Sequence, residues 1–142
     1  LLALGSFVYY LISQKGMQQP TEFESQSITF FTSVLPITLI FTYLDYIKNG
    51  SFGKKKAELQ LVYEKKTVQA SLIRNAIKFL PWQIGHMSAI HSVYGGFDLL
   101  YFILCYTSIL FSVVLLAMSI FRKDKRHLGD LLAHTQLQLK GE

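Results

Sequence analysis

Two aspartates, Asp45 and Asp130, and one arginine, Arg74, stand among apolar neighbours, so their chemistry depends on where the fold puts them. Asp130 lies in LGDLLAHT, where Leu128, Leu131 and Leu132 form one face of a helical turn. It is either half of a buried ion pair, with Arg74 or an upstream arginine, that locks the tail to the rest of the chain, or a helix-surface carboxylate near an interface; both readings stay open. Asp45 closes a long apolar run three residues before Lys48. An acid at membrane depth is a candidate for an ion pathway, but an acid this near the end of a run can reach water, and that interfacial reading is preferred. Asp98, beside the last apolar run, is read as interfacial too.

Gly50–Lys56 reads GSFGKKK, glycines followed by lysines, as phosphate-binding loops do. The spacing excludes a nucleotide P-loop, which needs four residues between the glycines and a Ser or Thr after the first lysine. What remains is a turn whose Lys54, Lys55 and Lys56 set topology or contact lipid headgroups, with Arg122 and Lys123 in the same role further on. His86 and His91 are five apart, about 140° around a helix, unlike the i, i+4 pairs that chelate metals, and ordinary packing is the expectation for both. No Ser-His-Asp, Cys-His, paired-carboxylate or zinc spacing converges, so neither an enzyme nor a cofactor is expected.

These residues must be positioned by membrane-embedded helices. The chain is 142 residues long and 51% hydrophobic, and Leu99–Phe121 carries no Asp, Glu, Lys, Arg or His. At about 1.5 Å per residue that run reaches roughly 34 Å, enough to cross the hydrocarbon. A second run, residues 28–46, contains Pro36, whose freed carbonyl nearby Ser or Thr hydroxyls can satisfy. Residues 1–13 are apolar but below the roughly 17 residues a crossing needs, and the start of that helix is expected to lie before Leu1. Aromatic residues, among them Phe7, Tyr9, Tyr10, Tyr43, Tyr46, Trp82, Tyr94 and Tyr101, fall mostly toward segment ends, as interfacial belts do.

The net charge of +5 does not point to nucleic acid, because thirteen of the fourteen Lys and Arg residues fall in two stretches beside apolar runs, Lys48–Lys78 and Arg122–Lys140. The positive-inside rule puts both stretches in the cytoplasm, which requires a crossing between Lys78 and Leu99. Residues 79–96 are the candidate; the rival places 69–94 as an in-plane amphipathic helix. The expected topology has segments at about 1–13, 28–46, 79–96 and 99–121, both termini cytoplasmic, and external loops near 13–27 and 94–98. Between the second and third segments Leu59 and Leu61 alternate with polar residues, and Leu137 and Leu139 do so in the tail. Two short strands on one membrane face would pair, since an isolated strand leaves its backbone donors unmatched. Leu72, Ala76 and Leu80 recur at helical spacing over 71–80, with Arg74 and Lys78 one turn apart.

With those features in place the chain resembles the RDD family of small membrane proteins. The resemblance rests on Gly50, Ser51, Phe52, Gly53 and Lys54 in the turn, Ser71 and Arg74 at a helix start, and Lys125, Arg126, Leu128, Asp130, Leu131, Leu132, Ala133 and Thr135 in the tail. Gly129 stands where the family usually has His, and His134 where it usually has Gly. The family's first-helix Arg would fall before Leu1, and its first-helix Asp is replaced near Ser6 or Phe7.

The resemblance implies either an accessory or scaffold subunit or a cation/proton antiporter. The expectation is therefore an all-α membrane bundle of three or four spanning helices with a short cytoplasmic β-ribbon. In function it is expected to be a multi-pass, non-catalytic subunit of the cell membrane that contacts lipids and docks another membrane protein or a second copy of itself. A small oligomeric cation/proton transporter is the alternative.

Overall fold

A computed structural model describes residues 20–124 and 126–139. The expected first segment, residues 1–13, lies outside the described residues.

Helix α1 runs Glu22–Lys48 as one 27-residue element, six residues earlier than the apolar run alone implies. Thr21 explains the early start. Its hydroxyl accepts from the Glu24 backbone N–H, and its own N–H donates to the Glu24 carboxylate at 2.7 Å, a reciprocal cap that satisfies two of the helix's orphan donors. Residues 22–27 of the loop expected over 13–27 are therefore helix. Ahead of Pro36 the helix widens to a π-turn over Phe30–Val34, a local change that accommodates the proline's missing donor. The neighbouring hydroxyls serve other carbonyls, Thr32 bonding Ile28 and Thr38 bonding Val34.

At Asn49 the backbone turns left-handed (φ 51°), Gly50 continues at φ 145°, and α1 ends. A one-turn helix α2 (Phe52–Lys56) leads into β1 (Leu59–Tyr63). Helix α3 spans Val68–Tyr94, capped by the Thr67 hydroxyl on the Ala70 N–H. The basic helix expected over 71–80 and the segment expected over 79–96 are thus a single element that carries Pro81 inside it and stops before Gly95. Trp82 falls mid-helix, not at an end. Helix α4 is Leu99–Phe121, capped by Asp98, which accepts from the Tyr101 N–H at 2.9 Å. A one-turn α5 (Leu128–Leu132) and β2 (Thr135–Leu139) follow.

The two strands pair antiparallel, with Leu61 opposite Leu137 and Tyr63 opposite Thr135. The expected ribbon forms, and Leu61 is its buried anchor.

The long helices pack antiparallel. Near one end of α1, Gln26 bonds the Met87 carbonyl and Ser25 the Tyr94 hydroxyl; near the other, Asp45 meets Arg74. On α3's other side, Ser108 of α4 bonds the Pro81 carbonyl, and Ser88 donates to the Tyr101 carbonyl. Gly85 lets the two backbones approach, since a Cβ there would come within 3.0 Å of the Ser108 hydroxyl.

Two of the helices, α1 and α4, are long and apolar enough to cross a membrane. Among the described residues the buried set holds five apolar residues against ten polar or charged ones, while Leu99, Ile103, Leu110, Leu116 and many like them are exposed. A protein folded in water shows the reverse. Polar interiors held by hydrogen bonds beneath an apolar surface are what lipid requires.

Candidate functional site

Most of the buried polar residues, among them Asp45, Ser71, Arg74, Asn75, Asp130 and Thr135, converge where the ends of α1 and α4, the start of α3, the ribbon and α5 meet. Asp45, near the end of α1, has no exposed surface and is not the water-facing carboxylate its position in the sequence implied. The Asn49 and Gly50 turn folds α2 back over it. Lys54 Nζ reaches Asp45 Oδ1 at 2.7 Å, Arg74 Nη1 reaches Oδ2 at 2.6 Å, and the Asn75 amide donates to Oδ2 at 3.1 Å. Lys54 was expected among the lipid-facing lysines. Its ammonium instead points inward, and burial, with Arg74 close by, pushes it below the ordinary lysine range against the pull of Asp45. Lys55 and Lys56 remain exposed, as do Lys123 and Arg122, the last chelating the Asp124 carboxylate through two nitrogens.

Arg74 is the hub. Its second arm, Nε, meets Asp130 Oδ1 at 2.5 Å, with 4% of the arginine side chain and 2% of the aspartate exposed. Thr135 also donates to Asp130 Oδ1, at 2.9 Å, and Asp130 Oδ2 accepts from the His127 backbone N–H. In return the His127 ring accepts from the Asp130 N–H, so Asp130 caps its own short helix while it pairs with Arg74. Burial pushes the His127 imidazole below the ordinary histidine range, a shift that Asp130 opposes and Arg74, Lys78 and Lys54 reinforce. The guanidinium thus bridges two carboxylates 85 positions apart in sequence, a use of its planar fork that a lysine cannot reproduce. Of the two readings open for Asp130, the buried pair with Arg74 is the arrangement the structure contains.

The tail packs closely on α3. A Cβ at Gly129 would come within 2.7 Å of the Arg74 carbonyl oxygen. His134 turns the chain from α5 into β2 at φ 50°, with its imidazole mostly exposed. That conformation suits glycine, which carries no Cβ penalty. His134→Gly is therefore expected to raise stability by about 0.5 to 1 kcal/mol, read as a higher midpoint of thermal unfolding in detergent; an unchanged or lower midpoint would show that the ring's contact with Glu64 matters more.

Of the residues singled out in the sequence, the fold brings together Lys54, Asp45, Arg74, Asp130 and Thr135, and leaves Lys55, Lys56, Arg122 and Lys123 on the surface. Gly50 and Ser51 shape the turn that swings Lys54 inward; at Gly53 a Cβ would meet nothing. Sequence reasoning missed Asn75 and named Ser71 only as a motif residue at a helix start. Ser71 bonds the Tyr63 hydroxyl and so joins β1 to α3, and the spacing of Ser71 and Asn75, one turn apart on the face that carries Arg74, was the available signal.

At the opposite end of the bundle His91 bridges Glu22 of α1 at 2.8 Å and Asp98 at 3.1 Å, tying three helices together where mere packing was expected. His86 accepts from the Trp82 indole N–H and stacks on its ring. No group of three metal-ligating side chains occurs among the described residues.

Comparison with known proteins adds one finding. The model of the RDD family matches residues 1–134. No curated protein and no solved structure matches the chain.

Proposed function

The chain belongs to the RDD family, and from that premise we propose that it is a non-catalytic, multi-pass membrane subunit whose cytoplasmic platform docks a membrane-protein partner or a second copy. The platform consists of α2, α5 and the β-ribbon, held to the helices by the Asp45–Arg74–Asp130 bridge. That bridge is the observation that carries the reading: the charges at membrane depth neutralise one another and fix the tail, so they act as a fastener.

Packing supports this topology. If α1 and α4 cross, then α3, antiparallel to both and as long as α1, crosses between them. Its ionisable Arg74 faces the bundle interior, as such residues do in membranes. The basic stretches around Lys55 and Arg122 then lie on one side, as the positive-inside rule asks, and that side is the cytoplasm.

The test is purification of the full chain from native membranes in mild detergent, with mass spectrometry of what stays bound, comparing wild type with Asp130→Asn. A stoichiometric partner or self-associated form lost in the variant is the expected result. Retention of the same companions in both places the docking surface elsewhere, and absence of any companion removes the subunit reading.

A second reading, transport, is favoured by a specific observation. Asp45 is fully buried, and near it the Thr42 hydroxyl and the Asn75 carbonyl oxygen lack hydrogen-bond partners. Cation-driven proton movement in liposomes holding the purified chain, abolished by Asp45→Asn, would establish it in place of the first.

A further inference from the structure

Around the buried carboxylates Asp45 and Asp130 stand three cations: Arg74, which is buried, and Lys54 and Lys78, each half-buried. Asp45 is taken by Lys54 and Arg74, and Asp130 by Arg74. The cation left over is Lys78. Among the described residues its close neighbours are aromatic faces, with the ammonium 4.4 Å from the centre of the Phe41 ring and 5.1 Å from that of Phe79. Ring faces attract a cation but carry no net charge. A half-buried lysine that touches no carboxylate among the described residues is set to take an anion that can reach it.

Lys78 lines a cavity of about 420 Å³ between α3 and α4. One end is polar, with Lys78, His127 and Ser119; Trp82, Leu115 and Leu116 line the remainder, with Ser112 and Ser108 along its floor. From Ser119 to Ser108 the groove follows α4 for roughly 16 Å at 1.5 Å per residue. The polar end is the one nearest Lys123 and the tail, where the basic stretches mark the headgroup level, and the apolar end points toward the bilayer middle. An anion of matching shape is charged at one end and apolar at the other. We propose that this groove is a binding site for one anionic glycerophospholipid, its phosphate on Lys78 and the start of an acyl chain against Trp82, Leu115 and Leu116.

This differs from the general attraction of exposed lysines for a charged leaflet, because it assigns one lipid to the one half-buried ammonium that lines the groove. It needs the bilayer but not the docking of a protein partner, so it can fail or stand independently of that reading.

The test uses the full chain, delipidated in detergent and titrated with phosphatidylglycerol, with adducts counted by native mass spectrometry. Wild type should hold one tight adduct. Lys78→Gln should lose roughly tenfold in apparent affinity, the scale of one charge-assisted contact. Lys55→Gln should lose nothing, and Lys78→Arg should retain binding, which separates loss of the charge from loss of the fold. Phosphatidylcholine should bind markedly more weakly, and neither inorganic phosphate nor glycerol phosphate should displace the adduct. Equal affinity in wild type and Lys78→Gln would overturn the site. Loss as great in Lys78→Arg as in Lys78→Gln, at matched helicity, would overturn the role of charge. Displacement by glycerol phosphate would overturn the lipid as occupant and give the site to a soluble anion.

Discussion

Arg74→Ala is expected to cost about 3 to 5 kcal/mol, the cost of removing one member from a buried ion pair, and to be the most damaging substitution of a single side chain in the molecule. The reason is what stays behind. Asp130, 2% exposed, would keep the Thr135 hydroxyl, a backbone N–H and the His127 ring, while Asp45, fully buried, would keep Lys54 and Asn75. Asp45 would then keep Lys54, while Asp130 would have no cation in direct contact among its neighbours to replace the guanidinium. Arg74→Lys should recover only part of the loss, because one ammonium cannot span both acids. Thermal unfolding in detergent checks the magnitude, and the double variant Arg74→Ala/Asp130→Asn should be less damaged than the sum of the two single changes. Losses below about 1 kcal/mol for Arg74→Ala would place the bridge with exposed surface pairs and remove its structural role.

Gly129→Val is expected to detach the tail while leaving the long helices standing. The obstacle is the Arg74 carbonyl oxygen, 2.7 Å from the first side-chain carbon, and it belongs to the backbone of α3, which cannot swing aside as a flexible side chain would. The short helix α5 must lift, and with it Asp130. A cost of about 1 to 3 kcal/mol is the usual range for forcing extra methyl groups into a packed contact. The informative readout is local: limited proteolysis should cut the region of Thr135–Leu139 in the variant well before the bundle unfolds, and equal cutting in wild type and variant would sink the argument.

Much of this arrangement can be read from residue types, and the exceptions share a cause. Leu99–Phe121 identifies itself, because an uninterrupted apolar run of that length has few other uses. The β-ribbon is legible from two alternating pairs of leucines that need each other's backbone groups. Helix α3 is less so. Its buried face carries Ser71, Arg74, Asn75 and Ser88, so a hydropathy reading splits it at the charged part, and only the rival reading over 69–94 gave it as the one element it is. Asp45 was misread for a related reason. Distance from the end of an apolar run measures depth only if nothing folds back over that end, and the left-handed Asn49 with Gly50 brings α2 and its Lys54 over the carboxylate. The two tail positions that depart from the family pattern also gain sense only in three dimensions: Gly129 sits against a backbone carbonyl, and His134 occupies a left-handed conformation that glycine prefers.

The bridge from Asp45 through Arg74 to Asp130 also sets an order of events during synthesis. A chain made from its N-terminus presents Asp45, Lys54, Arg74 and Lys78 long before Asp130 leaves the ribosome, so the growing bundle holds three cations against one acid until α4 has been inserted. Neutrality improves only when LGDLLAHT arrives and closes on α3. A polypeptide interrupted after Phe121 would keep Arg74 Nη1 on Asp45 but leave the Nε side of the guanidinium without its carboxylate, a half-made contact that the finished tail completes.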